Sequence, residues 1–502
     1  MPHLRCERRV SPILREGEIR ESLGHWRRPH RGGRRPACYP SHLAHQDPQK
    51  ETQPLKVLFV QAFLGRFEPP VFPAGLNALG RYLAMTTDHS VSVLDMNVEK
   101  APYRALDRAL AEQVPDVVGL SLRNVDTTQY RDRFYYFAEV PKIAKAVKRR
   151  TPSPTLVIGG PGFSIYAHEI MQAVDAIDFG VVSEGERTFA SLLERLDDPQ
   201  SVPGILLRRD GHVDNTGPGE LFDLSNYPNE APFVVSPKPY LRFPFSVGVE
   251  SSRGCAQKCI YCVYPFLNGP RVRLREPTKV VGEVESLIEE HGLKTFQFIA
   301  PVFNIPPAHS EAICREMVRR GLGRRARWIA WFAERFLSKE QWDLAVEAGC
   351  AEFAFSPDAL TDSVLAKMGK VSRQRDIERT FQMAQQDARA VVSYNFFISP
   401  PGERWRDFFK LLRFFIGSKL KLRSRCRVFA SYIRVEPHTA IHEIAVREGI
   451  LSPNDPLLPA TQSGLRRLFY MNRQTRLLGK IFGAIYALKK MLRRLLGRDT
   501  GV

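Results

Sequence analysis

The chain alternates short β-rich runs with stretches of helix length, and it does so in two successive series. The first series runs through Val57-Leu58-Phe59-Val60, Val91-Ser92-Val93-Leu94, Val117-Val118-Gly119-Leu120-Ser121, Leu156-Val157-Ile158-Gly159 and Phe179-Gly180-Val181-Val182. Segments such as 75–85 and 138–149 between these runs have room for crossover helices. Runs of this kind joined by helices predict a doubly wound parallel sheet. Ligands of such sheets sit beyond the C-terminal ends of the strands. Those ends carry Ser121, Arg123 and Asn124, then Gly159-Gly160-Pro161-Gly162, then Glu184-Gly185-Glu186.

Residues 201–244, with several Pro and Gly and one clear strand at Ile205-Leu206-Leu207, read as a linker. A second alternation follows, with candidate strands at 246–251, 295–300, 326–332, 352–356, 391–398 and 427–434. Six βα units without a seventh and eighth predict a partial barrel of the TIM type. Beyond residue 450 the chain is expected to be helical. There Leu478, Ile481, Phe482, Ile485, Leu488, Leu492 and Leu495 recur at three- and four-residue spacing among Lys480, Lys489, Lys490, Arg493 and Arg494.

A length of 502 residues suits two or three domains with cores of their own. The net charge of +19 invites a nucleic-acid reading, but it is concentrated at the ends: +6 over residues 1–50 and +10 over 464–498, against +4 over 51–463. The body of the chain therefore offers no basic track, and nucleic acid is not expected as a partner. Residues 1–54, rich in Arg, Pro, His and Gly with no hydrophobic period, are expected to be a disordered basic tail. No run of 18 apolar residues and no secretory leader is present, so a cytoplasmic protein is expected.

Three of the eight cysteines fall within eight positions, in Gly254-Cys255-Ala256-Gln257-Lys258-Cys259-Ile260-Tyr261-Cys262. This C-x3-C-x2-C run follows the first strand of the second series, at the end where barrels keep their chemistry. Three thiolates so close together can hold three irons of a [4Fe-4S] cube, leaving the fourth iron open to a ligand. The alternatives are a structural zinc site and buried inert thiols. Zinc usually takes four ligands from two spaced pairs, and the next Cys or His after Cys262 is His291.

This cysteine segment resembles the radical S-adenosylmethionine (SAM) superfamily, and in particular its cobalamin-binding branch. Phe397-Ile398-Ser399-Pro400-Pro401-Gly402-Glu403 and Glu436-Pro437-His438-Thr439-Ala440-Ile441, followed by Ala445 and Gly449, are similar to that family's fifth- and sixth-strand segments. Pro70-Val71-Phe72-Pro73-Ala74-Gly75-Leu76, Gly159-Gly160 and Glu184-Gly185-Glu186 are similar to the branch's N-terminal domain. The resemblance covers about residues 55–445. It implies an α/β architecture in which a Rossmann-like cobalamin-binding domain (55–200) and the linker (201–244) precede a partial (βα)6 radical SAM barrel (245–445). A helical basic region (446–502) completes the chain.

The resemblance further implies a [4Fe-4S] cluster on Cys255, Cys259 and Cys262, with SAM and cobalamin as further cofactors. Tyr261, Ser356, Ile398 and Glu403 would then line the SAM pocket. Ser121, Arg123, Asn124, Gly159, Gly160, Glu184 and Gly185 would hold cobalamin. Three departures stand out. Phe298-Ile299-Ala300-Pro301-Val302-Phe303-Asn304 lacks the acidic residues that often hold the methionyl amine, and Phe355-Ser356-Pro357-Asp358 replaces a common Gly-x-Glu-Ser. The Asp-x-His-x-x-Gly segment that gives cobalt a histidine is also missing, leaving only His89 and His168 in the first domain.

The expected activity is methyl transfer to an unactivated carbon of a small-molecule, lipid or peptide substrate, with electrons supplied by a reductase such as flavodoxin or ferredoxin. Oxidative cyclisation or rearrangement on the same cofactors is the alternative within enzymes, and a non-catalytic Fe-S or zinc metalloprotein the alternative outside them. The basic amphipathic C-terminal helix has two readings, docking of its apolar face on the barrel or a partner and peripheral attachment to an anionic membrane.

Overall fold

Strands β1 (Lys56–Gln61), β2 (Ser90–Asp95), β3 (Val117–Ser121), β4 (Thr155–Gly159) and β5 (Phe179–Val181) form a parallel sheet in the order β2-β1-β3-β4-β5. Alternate residues of these strands are buried on opposite faces. Leu58, Val60, Val118, Leu120, Leu156 and Ile158 pack with Leu106, Leu110, Ile143 and Ile170. Val57, Phe59, Val117 and Val157 pack with Leu76, Leu83, Phe189 and Leu192 on the other side. A sheet covered on both faces needs runs apolar throughout, as the sequence has. The computed structural model describes residues 53–495 apart from 67–68 and 131–132, so the expected tail over 1–54 lies almost wholly outside the described residues.

The stretch 201–244 is more than a linker. It adds β6 (Ile205–Arg209) and β7 (His212–Asn215), both antiparallel, to the edge of the first sheet. The second of these is short and edge-placed, with Val213 its one apolar residue and no alternation to mark a strand in sequence, and was therefore not foreseen.

The second sheet contains β8 (Gly248–Glu250), β9 (Thr295–Ile299), β10 (Arg327–Phe332), β11 (Cys350–Asp358), β12 (Val391–Phe397) and β13 (Cys426–Ser431), all parallel and in sequential order. The first and last are not paired with each other, so the partial barrel stays open. The predicted sixth strand ends earlier than expected, at Ser431. Tyr432 turns into a satellite cluster, and Ile433-Arg434 leave the sheet to pair with Phe469-Tyr470.

On the helix-facing side of these strands, Phe296, Phe298, Trp328, Phe332, Phe353, Phe355, Tyr394 and Phe396 form a continuous aromatic core. The opposite side is half-open: Gln297, Ile299, Ile329, Ser356, Asn395 and Phe397 are partly exposed, and Trp331 and Phe429 are each 43% exposed. Large apolar side chains on the inner face of an otherwise packed barrel mark a surface awaiting an occupant.

Beyond residue 447 the chain is less helical than expected. Most of 448–475 is irregular, and the long helix is Arg476–Leu495. Leu478 and Phe482 dock on Ile398, Phe408 and Tyr432. Leu477, Ile481, Ile485 and Leu488 remain exposed. The side chains of Lys489, Lys490, Arg493 and Arg494 lie outside the described residues. No helix among the described residues is long and apolar enough to cross a membrane.

Candidate active site

The two sheets meet through buried ion pairs. Arg253, next to the cysteine segment, pairs with Glu186 at 2.7 Å, Glu250 at 2.9 Å and Glu184 at 3.5 Å. Arg273 pairs with Glu184, Arg434 with Asp126 at 3.2 Å, and Arg81 with Glu283 at 3.4 Å. Arg253, Arg434 and Arg81 are almost fully buried. Charges removed from water hold only when paired and hydrogen-bonded, and here each arginine is. The seam thus fixes the first domain against the barrel.

From this seam the chain enters the cysteine loop through Gly254, whose φ is +82° and whose missing Cβ would stand 2.0 Å from the Arg271 carbonyl. No side chain fits there, so glycine alone permits the turn. Cys255, Cys259 and Cys262 follow as free, half-buried thiols. Burial pushes the Cys262 thiol up to about 12 and raises Cys259 as well. Lys370 opposes the effect at Cys259, because its ammonium stands near that sulfur. Among the described residues no three His, Cys, Asp or Glu side chains converge as a ready single-ion site. Three thiols on one pinned loop, with no fourth Cys or His before His291, suit the corners of an iron-sulfur cube better than one tetrahedral zinc.

The loop is also gripped from the barrel. The Ile260 amide donates to the Met368 carbonyl at 3.2 Å, and the Ile441 amide donates to the Ile260 carbonyl at 2.8 Å. The Tyr261 hydroxyl donates to Asp358 Oδ2 at 2.6 Å while its ring meets Phe397 edge-on at 4.8 Å. Asp358 is paired with the buried Lys370 at 2.7 Å. Tyr261 therefore stands at the inner face of the barrel, on Asp358 and Phe397. Asp358, Lys370 and the exposed Trp331 and Phe429 were not singled out. Their signal is only a departure from pattern, a charged residue ending an apolar strand and aromatics on its inner face.

Four of the predicted binding residues are packed or paired within the chain. Ile398 faces away from the barrel interior, into the cluster with Phe408, Tyr432 and Phe482. Glu403 folds back on its own loop, where its Oε2 accepts from the Ser399 amide at 3.1 Å. Glu184 accepts from Arg273, Asn268 and the Phe222 amide, so no lone carboxylate is left for a ligand. Gly185 opens the helix Gly185–Glu194 with no close neighbour that would demand glycine. These positions are shaped by packing, which a motif cannot separate from binding.

Glu403 makes a testable case. Burial raises its carboxyl from 4.5 to about 7. The folded state therefore binds the proton more tightly than the unfolded one, and stability falls as pH rises through 4.5 to 7. The cost above pH 7 is at most about 3 kcal/mol. Glu403→Gln is expected to melt a few degrees above wild type at pH 8 and level with it at pH 5. Equal melting at both pH values would reject the assignment.

In the first domain, Gly160 (φ +94°) and Gly162 lie so close to the Leu122–Asn124 backbone that a Cβ would meet it at 2.8 Å. Their role is to seat the β4 turn against the β3 turn. Gly159 has no such constraint. Ser121 and Asn124 are half-exposed and Arg123 is exposed at this edge. Burial raises the pKa of both Asp95 and Tyr264, the latter just after the cysteines, and the nearby Arg123 guanidinium opposes that rise at each. The β3 end and the cysteine loop thus face each other. His89 is at the opposite end of the strands, accepting from the Leu55 amide, and His168 is exposed on the helix Ala167–Ala173. The donor set at the β3 edge thus suits a corrinoid held through its polar periphery without a first-domain histidine. His438, which the sequence placed only in a family segment, stacks on Phe266 at 3.8 Å beside the seam.

Comparison with known proteins finds both domains. Residues 60–193 match the B12 binding domain and residues 249–415 the Radical SAM superfamily. An uncharacterised methyltransferase of Pyrococcus horikoshii is 25% identical over 329 residues, 64% of this chain and 67% of that protein. An anaerobic magnesium-protoporphyrin IX monomethyl ester cyclase of Cereibacter sphaeroides is 26% identical over 271 residues, 52% of this chain but 42% of that protein. The solved structure of the radical SAM methyltransferase TsrM from Kitasatospora setae, with cobalamin and a [4Fe-4S] cluster bound, aligns with a TM-score of 0.71 at 22% identity. That alignment covers 84% of this chain and 88% of TsrM, and shows a shared fold. With a B12 binding domain and a Radical SAM domain in this order, locked strand end to strand end, the chain belongs to the cobalamin-binding radical SAM enzymes.

Proposed function

We propose that this enzyme is a methyltransferase that uses a [4Fe-4S] cluster, SAM and cobalamin to methylate an unactivated carbon of a small-molecule, lipid or peptide substrate. One observation carries the reading: the cysteine loop lies at the buried seam, between the β3 edge of the first domain and the half-open inner face of the barrel. When bound, the cluster supplies the electron that cleaves SAM, and cobalamin carries the methyl group. Cys255, Cys259 and Cys262 hold the cluster. Tyr261, fixed by Asp358, and Ser356 line the SAM side. Trp331, Asn395 and Phe429 offer an apolar and hydrogen-bonding surface to the substrate. Ser121, Arg123 and Asn124 meet the corrinoid from the opposite wall, and the ion-paired seam keeps water from entering between the walls.

The test is metal analysis and product mass, on protein purified without oxygen from cells supplied with cobalamin. About four irons and one cobalt per chain are expected, with a product heavier by CH2 at each methylated site. Zinc in place of iron would overturn the reading, and a product lighter by hydrogen would favour the cyclase-like alternative suggested by the Cereibacter relative.

Arg123→Ala is expected to weaken cobalamin retention about tenfold or more, the scale of one lost charged hydrogen bond, while iron content stays at the wild-type level. Unchanged cobalt retention would reject the role.

The exposed row Leu477, Ile481, Ile485 and Leu488 supports the membrane reading of the last helix, since Leu478 and Phe482 already satisfy its docked side. Flotation with anionic liposomes is expected for wild type and is expected to disappear in the Ile481→Glu/Ile485→Glu double variant. Equal flotation of the two would sink the idea.

A further inference from the structure

On the barrel side of the cysteine loop lies an open cavity of about 450 Å³, lined by Lys367, Arg404, Arg447, Glu448, Tyr470 and Arg473 among others. Four of these side chains are cationic and one is a carboxylate. Glu448 is already engaged, its Oε2 accepting from the Tyr470 hydroxyl at 2.6 Å and its backbone carbonyl from Arg473 at 2.7 Å. Lys367, Arg404 and Arg447 have no acidic partner among the described residues, although ion pairs are plentiful elsewhere on the chain. Three uncompensated cations converging on one concavity raise the local potential and attract anionic partners. Arg473 brings in the basic stretch 464–498, whereas residues 51–463, which hold the other three cations, sum to only +4.

The walls of this cavity lead directly to the candidate cluster. Lys367 is followed by Met368, whose carbonyl accepts from the Ile260 amide. Arg447 ends the helix Ala440–Arg447, whose first turn donates from Ile441 to the Ile260 carbonyl. Both walls therefore grip Ile260, the residue after Cys259. Lys370, three residues beyond Lys367, stands against Cys259 itself. All four lining cations are exposed. Exposed charges steer an encounter between proteins, whereas a small-anion site gains its affinity by burying the cations it uses.

We infer that this basic concavity beside the cysteine loop is the docking surface for an acidic electron-carrier protein, of the flavin or iron-sulfur class, that reduces the cluster. The inference rests on the proposed function. In the step it serves, one electron leaves the carrier's reduced centre and enters the oxidised cluster, and no covalent bond is made or broken.

The experiment compares two reductants on the iron-loaded enzyme, following cluster reduction by absorbance and electron paramagnetic resonance. One is reduced flavodoxin; the other is the methyl viologen radical cation, a small reductant with no need for a basic dock. Lys367→Glu and Arg447→Glu, both at exposed positions without a partner, are expected to slow reduction by flavodoxin tenfold or more. Reduction by methyl viologen and the iron content are expected to match wild type. In wild type, only the flavodoxin rate is expected to fall as ionic strength rises from about 0.05 to about 0.3 M, where the screening length drops below 10 Å. That measurement needs no variant to fold.

Flavodoxin rates indifferent to both substitutions and to salt would overturn the docking surface. So would unchanged flavodoxin rates alongside loss of pyrophosphate binding, which would make the cavity a small-anion site instead. Wild-type protein that takes up no iron would overturn the proposed function, and is recognisable before any reductant is added.

Discussion

Cys259→Ala protein is expected to show no turnover above background and to bring down far less than the wild-type complement of iron. Its fold should survive, because Cys259 is half-buried on a loop and belongs to no apolar core. With two thiolates in place of three, a cube loses a corner ligand, and the segment after Cys262 offers no other Cys or His before His291. Cys426→Ala is the matched control. That thiol is buried at the start of β13, its pKa raised by burial to about 11, and is inert by position. Iron content and turnover of Cys426→Ala should stay near wild type while Cys259→Ala loses both. Turnover that persists in Cys259→Ala would refute the cluster role outright.

Arg253→Met is expected to carry the largest stability cost of any single change at the seam. It leaves Glu186 and Glu250 buried or half-buried without their cation, and Glu184 with Arg273 alone. Breaking a buried pair by removing one partner costs about 3–5 kcal/mol, because the charge left behind remains out of water. The melting temperature should fall, and the loss should shrink in Arg253→Met/Glu186→Gln, where the orphaned carboxylate is also neutralised. Since Arg253 is joined through Gly254 to Cys255, iron retention should fall with stability. A melting temperature unchanged from wild type would show that the seam does not hold the domains.

Both predictions bear on what the sequence made legible. The five parallel strands of the first sheet and the six of the second were readable because residues such as Val57 through Val60 are apolar without interruption, a pattern few other structures need. The cysteine loop was readable from its spacing alone. Strand β7, His212–Asn215, was not, because an edge strand of four residues with Val213 as its one apolar side chain shows no alternation. Nor were the contacts that Glu184 and Ile398 make within the fold. A glutamate at the end of a β-strand reads the same whether it meets a ligand or an arginine. The answer lies in Arg273, 89 positions away, and only the fold brings the two together. Lys370 and Asp358 were missed for the same reason, since their pairing at 2.7 Å depends on the irregularity in β11 between Phe355 and Asp358.

The seam has a consequence for how the chain is born. Every carboxylate that Arg253 meets precedes it in sequence, and two of them, Glu184 and Glu186, belong to a domain that is complete by residue 215. Synthesis proceeds from the N-terminus and domains fold as units as they emerge. The strands of the first sheet are therefore all synthesised before Cys255 leaves the ribosome, whereas Asn268 and Arg273, which complete the setting of Glu184, follow the cysteines. The barrel is completed only after β13 at residue 431. Until then the loop of the three thiols lacks the grip that Met368 and Ile441 give Ile260 in the finished barrel, so the barrel half closes on the cysteines last.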